Sequence, residues 1–197
     1  MLIPVVDDGL ERLLRAALPL PVDQGDVSFD APSSTWSAQV TRLTVNLFLY
    51  GVGRSPQPPR PPGVRTTASG AVERRPPLPA VQLSYLVSAW AGAPRDEHGL
   101  LGDVMTCVLG HPVLPAEHLA REPASPVQLT VAADDAARVR DVWSGLGGSL
   151  KASFTLVVTL AAEAHGWAPA APRVAEVVGS ATPMPPSPTG ERAGARR

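Results

Sequence analysis

The chain has 197 residues, 44% of them hydrophobic and 18% charged, which is a globular balance for a chain long enough to form one domain and a tail. Its 17 basic and 18 acidic residues give a net charge of -1, which excludes a global positive field that would attract nucleic acid. The single cysteine, Cys107, excludes an internal disulfide, and no stretch has the pattern of a signal peptide or a membrane helix, so we expect a cytoplasmic protein.

The N-terminal part of the chain is predicted to form one helix followed by two strands. Residues 4–18 carry leucines at helical spacing, with acidic residues early and arginines late, as the helix dipole favours. Pro19 and Pro21 are expected to end this helix, because proline lacks the amide hydrogen that a helix interior needs. Residues 26–32 fit a short strand, and residues 43–52 alternate as a longer strand does.

Residues 55–79 separate this strand from the next one and are rich in proline. The prolines are Pro56, Pro58, Pro59, Pro61, Pro62, Pro76, Pro77 and Pro79. Proline gives no hydrogen bond to a sheet and restricts the residue before it, so we expect neither helix nor strand here, but an extended, mobile surface insertion. Such an insertion is tolerated because loop-closure entropy grows slowly with length. A ligand for proline-recognition domains is the alternative interpretation.

The second half of the chain is predicted to alternate strands and helices. In chain order the predicted elements are strand 81–90, helix 96–110, strand 126–133, helix 134–146 and strand 151–162. Asp96 is a candidate N-cap for the first of these helices, and Gly110 is a stop signal before a proline. Asp134 or Asp135 would begin the second helix, and Trp143 lies on its apolar face and should pack inward.

The sequence patterns that predict helices and strands become weaker towards the C-terminus. Residues 172–181 fit one more strand, and the composition after residue 182 is typical of a disordered tail. We therefore divide the chain into a domain at 1–165, which carries the insertion at 55–79, and a C-terminal extension at 166–197. The order of elements predicts an α/β (α+β) fold, with a mixed, largely antiparallel sheet and helices packed on one side.

The candidate catalytic and metal-binding residues do not converge in the sequence. Asp96, Glu97 and His98 are consecutive, and consecutive residues of a helix point in different directions. They fit a helix start far better than a metal or catalytic site. His111 and His118 are separated by prolines and lack the tight spacing of a two-histidine metal site, so we interpret them as surface histidines.

The glycine-rich stretch "GLGGSLKAS" (145–153) resembles a phosphate-binding loop only superficially. It leads from a helix into a strand, whereas a phosphate loop leads from a strand into a helix whose amides bind the phosphate. The sequence also has no nucleophile elbow and no dinucleotide fingerprint. We therefore predict a protein without enzymatic activity or cofactor; a small enzymatic or ligand-binding α/β domain is the alternative.

An ordered series of segments between about residues 3 and 162 resembles one known family. The segments are "VVDDGLERLL", "TVNLFLYGVGR", "VQLSYLVSAWA", "DEHGLLGDVM", "HPVLP", "VQLTVA" and "DVWSGLGGSLKASFTLVV". They are similar to the N-terminal domain of the tail-cap, or tail-terminator, proteins of contractile injection systems. This family was long known only as a domain of unknown function.

The resemblance implies a structural function. Such caps are similar to phage tail terminators, form six-fold rings and end the growth of tube and sheath at the end distal to the baseplate. The implied partners are further copies of the chain, the inner tube protein and the contractile sheath protein, without nucleic acid or membrane. The residues that match the family pattern, and are carried over as possible interface residues, are Asn46, Tyr50, Arg54, Trp143 and Lys151.

Overall fold

The computed structural model describes residues 2–18, 20, 25–133, 136–147 and 149–170. The helices are α1 (Leu2–Ala17), α2 (Ser34–Ser37), α3 (Pro94–Gly110) and α4 (Ala136–Leu146). The strands are β1 (Gly25–Ser28), β2 (Leu43–Arg54), β3 (Gly63–Thr66), β4 (Val72–Arg75), β5 (Ala80–Trp90), β6 (Gln128–Val131), β7 (Ser153–Ala161) and β8 (Ala168–Pro169). Three parts of the prediction lie outside the described residues: Pro19 and Pro21 as the end of the first helix, the helix start at 134–135, and the extension beyond residue 170.

A five-stranded sheet in the order β1-β2-β5-β7-β6 forms the centre of the fold. Every neighbouring pair in it is antiparallel except β1 and β2, which run parallel. Backbone hydrogen bonds from Leu114 to Val127 and from Leu129 to Pro112, both 2.9 Å long, cover the outer edge of β6. The predicted mixed, largely antiparallel sheet is therefore confirmed.

The pair β2 and β5 is the longest element of the sheet. It aligns ten residue pairs, from Thr44 beside Trp90 to Arg54 beside Val81. The register shifts between Leu49 and Gly51, so that Tyr50 is the extra residue of a β-bulge. The pair thus forms a ribbon that extends past the core and carries the predicted insertion at its far end.

The main core lies between one face of the sheet and helices α1 and α3. Helix α1 presents buried residues at spacings of three and four, as an amphipathic helix does. They join Leu83 and Val87 of β5 and Val104 of α3 in one continuous apolar cluster. The predicted helix at 4–18 and the predicted strands at 43–52 and 81–90 are confirmed within about two residues.

Helix α4 packs against the other face of the sheet. Its Trp143 bonds to Ser153, which lies opposite Ser88 in the register of β5 and β7, on the face that α1 and α3 do not cover. The expectation that all helices pack on one side is therefore corrected for α4. The physical reason is that Trp143 fits against small hydroxyl side chains, which leave room for an indole and can accept its hydrogen bond.

The expectation that residues 55–79 contain no regular structure is wrong. Strands β3 and β4 form an antiparallel hairpin within it, and β8 adds a third strand beside β4. The prolines occupy only the two flanks, so residues 63–75 keep every backbone donor that a hairpin needs. Gly70 supplies the positive φ of +81° at the turn. The mobility of the segment as a whole stays a prediction.

Two smaller features differ from the sequence prediction. Helix α3 begins at Pro94, with Ala93 rather than Asp96 at its N-cap position, because proline suits the first turn of a helix. A short helix that the sequence did not predict, α2, begins after Ser33, whose hydroxyl accepts a hydrogen bond from the amide of Trp36.

Candidate functional site

Three tryptophans lie together where β2 begins and β5 ends. The ring centroids of Trp36 and Trp90 are 5.2 Å apart in an edge-to-face arrangement, and those of Trp90 and Trp143 are 6.3 Å apart. We call Trp36, Trp90 and Trp143 the tryptophan cluster. The cluster joins α2, β5 and α4, which are distant in sequence, and so fixes their relative positions on this face of the sheet.

Each indole N–H of the tryptophan cluster donates a hydrogen bond. Trp36 donates to a carboxylate oxygen of Asp30 at 3.2 Å. The other two donate to serine hydroxyls, Trp90 to Ser88 and Trp143 to Ser153, both at 3.0 Å. Because buried indoles without partners would be costly, these bonds explain why polar serines occupy this face of the central strands.

Lys151 lies against this cluster as a paired cation. Its ammonium group sits 3.9 Å from the centroid of the Trp90 ring and forms an ion pair with Glu97. Glu97 also accepts a hydrogen bond from the amide of Ala91, which anchors the start of α3 to the end of β5. The structure therefore brings two of the carried-over residues, Trp143 and Lys151, to one place, through the Trp90 ring between them.

Asn46 and Tyr50 are part of the same face of the sheet. Asn46 is fully buried, and its amide nitrogen donates to the carbonyl oxygen of Asp30 at 2.9 Å. Its carbonyl oxygen has no hydrogen-bond partner among the described residues. The hydroxyl of Tyr50 lies 3.1 Å from that of Thr155, across β5. Both residues thus hold loops and strands together inside the chain.

Arg54, the fifth carried-over residue, differs from the other four because it is exposed. It ends β2 and opens a stretch, residues 54–79, that contains five arginines and only one acidic residue, Glu73. The arginines are Arg54, Arg60, Arg65, Arg74 and Arg75. We call this stretch the basic hairpin end.

A fourth tryptophan, Trp167, organises the basic hairpin end. The guanidinium carbons of Arg65 and Arg75 lie 4.5 and 4.7 Å from the centroid of its ring. Gly63 is required beneath it, because a Cβ there would come within 2.7 Å of the indole. The side chain of Glu73 pairs with Arg65 at 2.7 Å. The hairpin is therefore held by residues from both sides of the predicted boundary at 165.

The opposite end of the β2–β5 ribbon carries acidic grooves. A groove of about 630 Å³ is lined by Asp96 and Asp103 of α3, and a second, of about 560 Å³, by Asp26 and Asp30. They share the segment 40–42 as a common wall. Within them, Arg42 is paired with Asp26 at 2.9 Å, so the carboxylates exceed the cations. We call the two grooves together the acidic groove.

Three ionisable groups among the described residues have pKa values that burial raises. Burial raises the pKa of Asp7, partly opposed by the hydrogen bond that Tyr85 donates to it at 2.7 Å. Burial also raises the pKa of Tyr85, which has no exposed surface and therefore cannot reach a substrate. Burial likewise raises the pKa of the Cys107 thiol, away from the reactive thiolate.

In residues 2–18, 20, 25–133, 136–147 and 149–170, no three His, Cys, Asp or Glu side chains are grouped so that they could hold a metal ion. Over the same ranges, no helix has the length and apolar character needed to cross a membrane.

Comparison with known proteins identifies the family. A model of the Pvc16 N-terminal domain matches residues 5–176. The chain belongs to this family. The resemblance to the tail-terminator proteins of contractile injection systems is thereby confirmed. No protein of curated function matches this Pvc16 N-terminal domain in sequence.

Two solved structures are similar to the domain in fold. One is the PVC sheath/tube terminator of an extracellular contractile injection system in the extended state, with a TM-score of 0.65 and 17% identity over 93% of this chain and 65% of that one. The other is the tube-terminating cap of the anti-feeding prophage, with a TM-score of 0.59 and 16% identity over 93% of this chain and 61% of that one. The chain thus spans less than two thirds of the length of either structure.

Proposed function

We propose that this chain caps a contractile injection system as a six-membered ring that ends tube and sheath at the end distal to the baseplate. The observation that carries the proposal is the family match over residues 5–176, together with the likeness in fold to two terminators. The partners would be other copies of the chain, the inner tube protein and the contractile sheath protein. Assembly in the cytoplasm, without nucleic acid, membrane or cofactor, is part of the same proposal.

The two ends of the molecule support a role in assembly rather than in catalysis. A capping subunit must contact neighbours and a filament end through its surface, and it must leave no strand edge that a further layer could use. Here exposed arginines lie at the basic hairpin end and carboxylates line the acidic groove, while the middle of the central sheet is buried on both faces. Of the carried-over residues, we propose Arg54 as an interface residue and the other four as supports that hold the surface in shape.

Deletion of the gene in the producing strain tests the function. We expect intact baseplates, with tubes and sheaths that are absent, unstable or of uncontrolled length in electron micrographs. Restoring the wild-type gene should restore particles of uniform length, which controls for effects on neighbouring genes. Particles of normal, uniform length and with a complete sheath in the deletion strain would rule the proposal out.

A further inference from the structure

We infer that the basic hairpin end of one copy of this chain docks onto the acidic groove of the next copy, so that neighbours in the ring meet head to tail. The inference rests on the proposed cap for the closure of the ring. The docking contact itself follows from three features of the described residues: a hairpin face that they leave uncovered, two oppositely charged ends and the distance between those ends.

Among the described residues, one face of the hairpin has no partner. In the register of β3 and β4, Arg65 and Arg75 point to the side where Trp167 lies. Because side chains alternate along a strand, Val64 and Val72 point to the other side. They are 64% and 46% exposed, so this face of the small sheet is open to solvent. An exposed apolar strip beside arginines is typical of a protein contact surface.

The side chains best placed to make a charged contact have no partner in the described part of the chain. The guanidinium groups of Arg60 and Arg74 at the hairpin are exposed and form no hydrogen bond or ion pair with the described residues. Asp96 and Asp103, which line the acidic groove, are equally exposed and unpaired in the described part of the chain. Two guanidiniums and two carboxylates that the described residues leave unpaired therefore lie on opposite surfaces, and their charges are complementary.

These surfaces cannot meet within one molecule. Leu43 and Trp90 line the acidic groove at one end of the ribbon, whereas Arg54 and Ala80 lead into the hairpin at the other. A strand of this length separates the ends by about 35 Å. A symmetric dimer that pairs like ends would bring arginine to arginine or carboxylate to carboxylate, which is repulsive. A contact between the hairpin end of one copy and the groove of another joins opposite charges instead. Made head to tail, with a rotation that closes, such contacts form the ring proposed above.

A single such contact is small. The hairpin face offers few apolar side chains. Stable pairs of proteins bury roughly 1,200 Å² of surface or more, and we expect this contact to bury less. A subunit held by two neighbours and a filament end gains from all of its contacts together. The contact must therefore be trapped in order to be detected in the isolated chain.

Disulfide trapping in the full chain detects it directly. In a Cys107→Ala background, equimolar Val72→Cys and Gly99→Cys chains are oxidised together. Gly99 lies in α3 beside the groove, and a Cβ there meets open space. An intrachain disulfide is excluded in a chain with both substitutions, because a disulfide requires Cα atoms within about 7 Å. The matched control replaces Gly99→Cys with Gly110→Cys, also unhindered and about 16 Å further along the same helix.

We expect the Val72–Gly99 combination to cross-link at least about tenfold faster than the Val72–Gly110 combination, because docking raises the local concentration of the thiols. The advantage should fall in roughly 1 M salt, where the Debye length is about 3 Å. Equal rates for the two combinations would overturn the inference. If gene deletion still gives particles of uncontrolled length in that case, the cap function stands and only this contact is wrong.

Charge reversal in the same cross-linking experiment tests whether the contact depends on opposite charges. Arg60→Glu/Arg74→Glu in the hairpin partner, or Asp96→Lys/Asp103→Lys in the groove partner, should each slow the cross-linking to the control rate. Combining the two reversed partners should restore it, since the charges again match. Arg12→Glu/Arg140→Glu in the hairpin partner makes the same change in net charge elsewhere and should leave the rate unchanged. Failure of the reversed pair to recover would contradict the proposed docking.

Discussion

Replacement of Trp143 by alanine tests how much the packing of α4 on the second face of the sheet stabilises the domain. The side chain is only 1% exposed, touches Trp90 and donates its hydrogen bond to Ser153. Loss of a buried aromatic ring costs about 3–5 kcal/mol. The hydroxyl of Ser153 still donates to the carbonyl of Lys151 at 3.1 Å. Loss of the hydrogen bond from the indole therefore adds no more than about 1 kcal/mol to this cost. We expect a loss of about 4 kcal/mol in the free energy of unfolding.

The measurement is urea unfolding followed by far-UV circular dichroism, because fluorescence would change with the removed indole itself. The same loss corresponds to a fall in Tm of roughly 8–16 °C for a chain of this size. Trp143→Phe is the matched control: it keeps an aromatic ring but removes the N–H donor, and should lose about 1–2 kcal/mol. A Trp143→Ala chain that loses less than about 1.5 kcal/mol, yet fails to assemble, would refute the reasoning and make Trp143 an interface residue.

Three other outcomes are expected. Trp167→Ala should accelerate tryptic cleavage after Arg65 and Arg74 in β3 and β4 by about tenfold, since two cation–π contacts are lost; an unchanged rate would mean that the indole does not hold the hairpin. Gly63→Ala should have a similar effect through its clash with the indole, whereas Gly53→Ala, which meets open space, should not. Asp7→Asn should remove a pH dependence: the pKa of Asp7 is raised above 3.8 in the folded chain, so wild-type stability should fall as pH rises from about that value through the folded pKa. Asp141→Asn, at an exposed position, is the control, and equal pH profiles for wild type and Asp7→Asn would contradict the assignment.

The long elements of the fold were predictable because their periodicity is local. Leucine spacing in α1 and alternation in β2, β5 and β7 reflect one buried face each, and a buried face leaves the same signature wherever the chain goes. The hairpin was missed for a local reason too. The proline content of 55–79, averaged over the segment, concealed a proline-free stretch at 63–75 with alternating side chains.

The site was less predictable because its contacts are long-range. Trp36, Trp90 and Trp143 lie more than fifty residues apart in sequence, and nothing in their neighbourhoods indicates that they meet. The one available signal was that four tryptophans occur in a chain with few aromatic residues. The exposure of Arg54 also depends on the register of β2 and β5. The bulge at Tyr50 sets the direction in which the end of β2 leaves the core.

The β2–β5 ribbon would have a mechanical consequence in the proposed ring. Hydrogen bonds between antiparallel strands run perpendicular to the strands. If neighbours grip the chain at the two ends of the ribbon, tension around the ring acts along the strands and loads the ten aligned residue pairs in shear, all at once. Peeling the pairs apart one after another would require a pull at right angles. Such a ring would yield to a sideways force far sooner than to the hoop stress of a contracting sheath.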